Sequence, residues 1–278
     1  MTPIIEPQEL FNLTRADYIL FDVSAGSKPR YDAEHLEGAI FIDLNTDLAN
    51  IGDYAEGGRH PLPLLDDFYK VLGSFGVNSQ THVIIYDDKN GANAAARFWW
   101  MLRAIGHKNV QVLNGGYQAA VAAGFPVSSK ITAPKPSEYV GVKEWQLPTA
   151  TIDEVQLARE NSQNIVVDVR DANRFAGLTE PIDLIAGHIP GAINVPYTEN
   201  LDAAGSFLSP EALRDKYAEL FSSVKMENII VHCGSGVTAC HTLLALNYAG
   251  FEIPKLYVGS WSEWSRSDKP MALKRDTL

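Results

Sequence analysis

The chain contains one pattern written twice, and that duplication limits its possible folds more than any other feature. Tyr18-Ile-Leu-Phe-Asp22-Val returns as Ile165-Val-Val-Asp168-Val, and His35-Leu-Glu-Gly-Ala-Ile returns as His188-Ile-Pro-Gly-Ala-Ile. His82-Val-Ile-Ile-Tyr-Asp87 pairs with Asn228-Ile-Ile-Val-His-Cys233, Asn114-Gly-Gly-Tyr117 with Val258-Gly-Ser-Trp261, and Phe125-Pro126 with Lys269-Pro270. The offset is 146 at Asp22/Asp168 and Asp87/Cys233 and 144 at Gly115/Gly259 and Pro126/Pro270. Only His35/His188, at 153, stands apart, so the second copy carries seven extra residues between its first strand and its His-x-x-Gly turn. A repeat this long means two domains with the same topology.

Each copy alternates apolar, β-branched runs with helical spacing, which predicts an α/β fold: two tandem domains, each a mainly parallel sheet with helices on both faces. The strands expected are 19–23, 83–86 and 110–113 in the first copy, and 165–169, 229–231 and 256–258 in the second. A helix is expected over 94–105, stopped by Gly106, and another over 238–248, stopped by Gly250. Thr151-Ile-Asp-Glu154 reads as a capping box and Ser209-Pro210-Glu211 as an N-cap followed by proline at the first helical position. The expected division is a first domain over 1–127, an ordered linker over 128–148 holding Pro134, Pro136 and Pro148, and a second domain over 149–278. Trp99, Trp100, Trp261 and Trp264 lie in or beside apolar stretches and read as core or rim aromatics.

A net charge of −11 leaves no basic stripe to meet phosphates, so neither nucleic acid nor an anionic membrane is an expected partner. The first residues lack a basic region followed by an apolar core, and no run approaches the ~18 apolar residues that span a bilayer, so cytoplasmic residence is the expectation. Two cysteines suit a reducing compartment. No Cys, His and carboxylate cluster has zinc spacing, and Asn114-Gly115-Gly116 lacks the third glycine of a dinucleotide fingerprint; no cofactor is expected.

Chemistry concentrates at 228–240. A buried strand ends at Cys233, a loop with Gly234 and Gly236 follows, and a helix begins at about Thr238. Such a loop can turn successive N–H groups inward around the sulfur, and the helix adds the positive end of its dipole, so the thiol is expected to ionise readily and act as a nucleophile. The alternative is an inert buried cysteine; Cys240 reads as helix packing. A cysteine phosphatase needs arginine six positions after its nucleophile, and Ala239 stands there. The shorter cradle from Cys233 to Thr238 is sized for a terminal sulfur.

Cys233-Gly-Ser-Gly-Val-Thr-Ala resembles the active-site loop of the two-domain rhodanese family, in particular its 3-mercaptopyruvate sulfurtransferase branch; the thiosulfate branch has Cys-Arg-Lys-Gly-Val-Thr. The resemblance spans nearly the whole chain. It implies a tandem rhodanese fold with a non-catalytic first domain, which Asp87 at the cysteine position matches, and a site facing a cleft between the domains. It also implies transfer of sulfur from a small-molecule donor, through a persulfide on Cys233, to a small thiol, cyanide or a thioredoxin-like acceptor. Thiosulfate sulfurtransfer and a persulfide carrier with little turnover are the alternatives. Cys233, Ser235 and His35 are the catalytic candidates, and Arg174, Gly234, Gly236, Val237 and Thr238 the substrate-binding ones. Ser235 is either a hydroxyl donor or a small turn residue; Arg174 either clamps a carboxylate or forms a structural ion pair. His35, whose counterpart in the family has been proposed in a proton relay with the loop serine, is relay or structural in equal measure, and Arg59-His60 are further candidates for a facing wall. Gly234 and Ser235 in place of Arg-Lys remove two positive charges, which favours a monoanionic donor over dianionic thiosulfate. One departure stands out: the branch usually has a second arginine in Glu-Pro-Arg, and this chain has Glu180-Pro181-Ile182.

Overall fold

Strands Ile19–Asp22, Val83–Tyr86 and Val110–Leu113 are almost entirely buried because each lies inside a parallel sheet with helices across its faces. The sheet runs Ile4–Ile5, Val110–Leu113, Val83–Tyr86, Ile19–Asp22, Ile40–Phe41, with every pairing parallel. The second sheet repeats the order: Thr149–Ala150, Lys255–Tyr257, Ile229–His232, Ile165–Asp168, Ile193–Asn194, again all parallel. The fold is therefore two α/β domains of one topology, as the duplication predicts. The four outermost strands are only two residues long and were not expected from sequence, because so short a run carries no periodicity.

The computed structural model describes residues 1–273. One unit comprises Met1–Asn50, Leu62–Leu147 and Ala203–Phe207, the other Ile51–Pro61, Pro148–Asp202 and Leu208–Leu278. The proline-containing stretch expected as a linker packs on the first unit up to Leu147: Ser137 N donates to Gly73 O (2.8 Å), Gln146 N donates to Ala104 O (2.7 Å), and Tyr139 stacks on Tyr69 at 5.3 Å. Leu20, Tyr31, Ile84 and Tyr86 anchor the first core, and Val155, Val166, Ile230 and Trp261 their counterpart in the second. All four tryptophans singled out from the sequence are fully buried, so they are core.

Helix ends follow local chemistry. Thr151 Oγ1 accepts from Glu154 N while Glu154 accepts from Thr151 N, the reciprocal pair expected, and Ser209 Oγ caps Pro210–Leu220 through Ala212 N. The Ala95–Ala104 and Ala239–Tyr248 helices stop just before Gly106 and Gly250. Among the described residues no helix is long and apolar enough to cross a membrane.

Candidate active site

Ile229–His232 is wholly buried and delivers Cys233 to the C-terminal end of the sheet, where the chain turns into the Ala239–Tyr248 helix. Hydrogen bonds to the short Ser260–Trp264 helix pin the turn. Cys233 N donates to Ser260 Oγ (3.2 Å), Trp261 N donates to Cys233 O (3.1 Å), and Ser262 N donates to Gly234 O (2.8 Å). Gly236 takes φ +70°, and a Cβ there would lie 2.5 Å from Val258 O, so both conformation and space demand glycine. Cys233 is 3% exposed and borders a cavity of about 210 Å³. Gly234, Ser235, Thr238 and Arg174 line the same cavity; Gly236 and Val237 shape the loop behind it.

An alternating chain of charge runs along one wall. The Asp168 carboxylate accepts from Arg170, Arg170 reaches Glu180 (3.2 Å), Glu180 takes Arg174 (2.7 Å), Arg174 contacts Asp183 (3.1 Å), and Asp183 pairs with Arg59. Arg266 also approaches Asp183, at 3.6 Å, and Arg170 lies over the Trp261 ring at 4.8 Å. Four guanidiniums thus face three carboxylates along this wall. Burial pushes Asp168 and Glu180 up, but their arginine partners and hydrogen bonds outweigh it and hold both carboxyls low. For Asp183 burial prevails over Arg59 and Arg174, with Glu180 adding to the upward push. Sequence reasoning singled out Arg174 and Arg59 here; Arg170, Glu180 and Asp183 as their partners carried no local signal beyond the seven-residue insertion.

The ring that reaches Ser235 belongs to His60. Its Nδ1 shares a 2.9 Å hydrogen bond with Ser235 Oγ, across 175 positions of sequence. The 51–61 segment holds it there as part of the second unit: Gly57 N donates to Glu263 Oε1 (2.8 Å), and Arg59 N donates to Ser262 Oγ (3.1 Å). Between them Gly58, at φ +80°, sits where a Cβ would be 2.3 Å from Gly259 O. His35 is not brought to this cavity. It is fully buried in the first unit, stacked on Tyr31 at 4.0 Å, with Nδ1 at 2.6 Å from Tyr31 O and Nε2 at 3.2 Å from Lys130 O. Its counterpart His188 likewise bonds a carbonyl, that of Phe175 (2.8 Å), and stacks on that residue's ring.

The first unit keeps the same loop with its cradle filled. Asp87 is fully buried and accepts five backbone N–H groups: Lys89 and Gly91 on Oδ1, and Asn93, Ala94 and Ala95 on Oδ2, all at 2.8–3.1 Å. Burial pushes its carboxyl up, while five donors favour the ionised form. Asp87 lies eight residues before its helix and Cys233 six before the equivalent one, and these two residues account for the fall in offset from 146 to 144. Among the described residues no group of three His, Cys, Asp or Glu is placed to hold a metal ion.

Comparison with known proteins agrees with this architecture. The rhodanese-like domain matches residues 6–123 and again 151–267. A probable 3-mercaptopyruvate sulfurtransferase of Pseudomonas aeruginosa is 40% identical over 89% of this chain and 86% of its own, and the human 3-mercaptopyruvate sulfurtransferase 35% identical over 93% and 86%. Thiosulfate sulfurtransferase of Bos taurus is 34% identical over 88% of this chain and 82% of its own. The solved structure of 3-mercaptopyruvate sulfurtransferase from Leishmania major aligns with a TM-score of 0.82 at 32% identity, covering 95% of this chain and 74% of that one. Both halves of the duplication are matched, and the chain belongs to the rhodanese-like family with two copies of its domain.

Proposed function

We propose that this protein is a sulfurtransferase that takes sulfur from 3-mercaptopyruvate onto Cys233 and passes it to a thiol or cyanide. The observation that carries this reading is a small cavity in which one cysteine, guanidiniums and Ser235, itself hydrogen-bonded to His60, converge. At about 210 Å³ it falls below the ~300 Å³ lower end for drug-sized ligands and suits a three-carbon acid. Gly234, where the thiosulfate branch has arginine, supports the monoanionic donor, since it brings no positive charge to the position after Cys233.

In the first step the Cys233 thiolate attacks the donor's sulfur and forms the S–S bond. The C–S bond breaks, its electron pair passes into the pyruvate enolate, and the donor's thiol hydrogen stays with the transferred sulfur. The guanidinium of Arg174 balances the donor's carboxylate, and Ser235 Oγ, backed by His60, donates toward the enolate oxygen and relays the proton that completes pyruvate. In the second step an acceptor thiolate or cyanide attacks the outer sulfur and Cys233 leaves as thiolate. The loop amides hold the anionic sulfur between steps, a role supported by the five amides that hold the Asp87 carboxylate in the equivalent loop. We read the first domain, with Asp87 at that position, as non-catalytic, and His35 as a buried structural ring. A thioredoxin-like protein in the cytoplasm fits the acceptor's chemistry.

Intact-mass analysis after exposure to mercaptopyruvate tests the reading. One added sulfur atom on Cys233, removed by cyanide, is the expected result, with no turnover by Cys233→Ser. Sulfur on another residue, or turnover surviving in Cys233→Ser, refutes it.

A further inference from the structure

We propose that the first unit carries a ligand site of its own, a cleft of about 800 Å³ that takes a medium-chain fatty carboxylate and shares no residue with the cavity at Cys233. Its volume falls within the ~300–1,000 Å³ of sites that enclose drug-sized ligands. Three segments build it: the Pro7–Asn12 helix, the Arg15–Asp17 turn with Tyr18, and the 125–133 stretch. Leu10, Phe11, Leu13, Phe125 and Ile131 give it an apolar lining that opens onto the core at Leu10, Tyr18 and Phe125. Phe11 and Ile131 are each 57% exposed, an apolar rim with nothing packed over it.

The polar groups at the cleft say what the ligand's head must be. Tyr18 is only 5% exposed and borders the cleft, yet among the described residues its hydroxyl makes no hydrogen bond. Burial outweighs the nearby Arg15 guanidinium and raises the Tyr18 phenol above its ordinary range, so it keeps its proton and stands as a donor. An unpaired hydroxyl at such burial is a cost that a ligand oxygen removes. Lys130 Nζ and Arg15 Nε are likewise without a hydrogen bond or ion pair among the described residues, and Glu37, the one carboxylate bordering the cleft, pairs with neither. Two cations and a hydroxyl donor against one carboxylate, in a chain of net charge −11, select an anionic head on an apolar body. A sugar or nucleotide would leave most of its polar atoms against apolar side chains.

Both sides of the cleft are held by specific bonds. Arg15 Nη1 donates to Tyr18 O (2.9 Å), Nη2 donates to Gly38 O, and Cζ lies 4.9 Å from the centre of the Tyr18 ring. Gly38 takes φ +79°, and a Cβ there would lie 2.5 Å from Arg15 Nε, so the guanidinium fills space that only glycine leaves. In the 125–133 wall, Glu37 N donates to Pro126 O (2.8 Å), Lys130 N donates to Ser128 Oγ (3.0 Å), and His35 Nε2 meets Lys130 O (3.2 Å). The histidine expected from sequence to act at Cys233 instead helps to shape this cleft.

Titration calorimetry on the full chain tests the site, using octanoate and octanol, the same chain length without the charge, with wild type, Tyr18→Phe, Lys130→Gln and Ile131→Glu. Octanoate should bind wild type one to one and about tenfold or more tighter than octanol. Loss of a hydrogen bond to a charged head in Tyr18→Phe should weaken octanoate by about 10-fold or more and leave octanol nearly unchanged. Lys130→Gln, which removes an exposed cation, should weaken octanoate by about 2- to 5-fold. Ile131→Glu sets a like charge in the lining and should weaken octanoate by about 10-fold or more. The two exposed substitutions should leave the ligand-free thermal midpoint and turnover at Cys233 at wild-type values, and they decide the matter if Tyr18→Phe does not fold. Absence of saturable octanoate binding below about 1 mM overturns the site. So does an octanoate affinity that is the same in wild type and all variants, and equal binding of octanoate and octanol overturns the choice of a carboxylate.

Discussion

Replacing Asp87 with asparagine tests the claim that this loop is an anion cradle, without touching the unit that holds Cys233. The carboxylate takes two amides on one oxygen and three on the other. Asparagine keeps one oxygen, best turned toward Asn93, Ala94 and Ala95, and sets an NH2 group against the N–H groups of Lys89 and Gly91. Hydrogen bonds to a charged group contribute about 1.5–3 kcal/mol each, so two lost bonds cost about 3–6 kcal/mol. Weakening of the other three, from charged to neutral acceptor, adds to this and relaxation subtracts, leaving about 4–6 kcal/mol. Against a typical total of about 5–15 kcal/mol, the first unit would be close to unfolding, with its transition about 10–20 °C lower. Trp99, Trp100 and Trp145 report on that unit by fluorescence, while sulfur transfer below the new transition reports on the other. A midpoint within about 2 °C of wild type would refute the reasoning, because it would mean the five bonds contribute nothing net.

Two further outcomes follow from the site and the buried rings. Ser235→Ala and His60→Gln should each lower kcat for mercaptopyruvate by about 10²-fold, as general acid–base groups do, and the double variant should be no worse than either; multiplying losses would show that the pair does not act as a unit. His107 and His232 are buried, which lowers both pKa values below the ordinary histidine range. The unfolded chain then binds protons that the folded one does not once pH falls below about 6.5, so stability present at neutral pH is lost on acidification, by up to about 1.4 kcal/mol per pH unit for each ring. Thermal midpoints between pH 7.5 and 5 check this, and His107→Gln should flatten the profile.

The central strands were legible because they are buried on both faces: Val83–Tyr86 and Val110–Leu113 fall where their apolar runs predict. The capping box at Thr151 and the proline start at Pro210 were legible because each is a local hydrogen-bond or dihedral rule. The outermost strands were not, since two-residue elements such as Ile40–Phe41 exist only by virtue of the neighbour they pair with. For the site, the strand–loop–helix setting of Cys233 could be read directly, whereas choosing between His35 and His60 could not. Both histidines precede apolar residues in the first half, and only folding reveals that one ring is spent on carbonyls and the other meets Ser235.

Sequence by itself determined the duplication, the parallel α/β class and the loop in which a cysteine in one copy is answered by an aspartate in the other, because strand burial, helix caps and glycine turns act over a few residues. Tertiary structure alone decided that 51–61 joins the second unit and 203–207 the first. It also decided that Arg59 would stand beside Asp183, 124 positions away. The physical reason is that these segments have no hydrophobic period of their own. Their places are set by single hydrogen bonds and ion pairs to distant residues, which exist only once both sheets have formed.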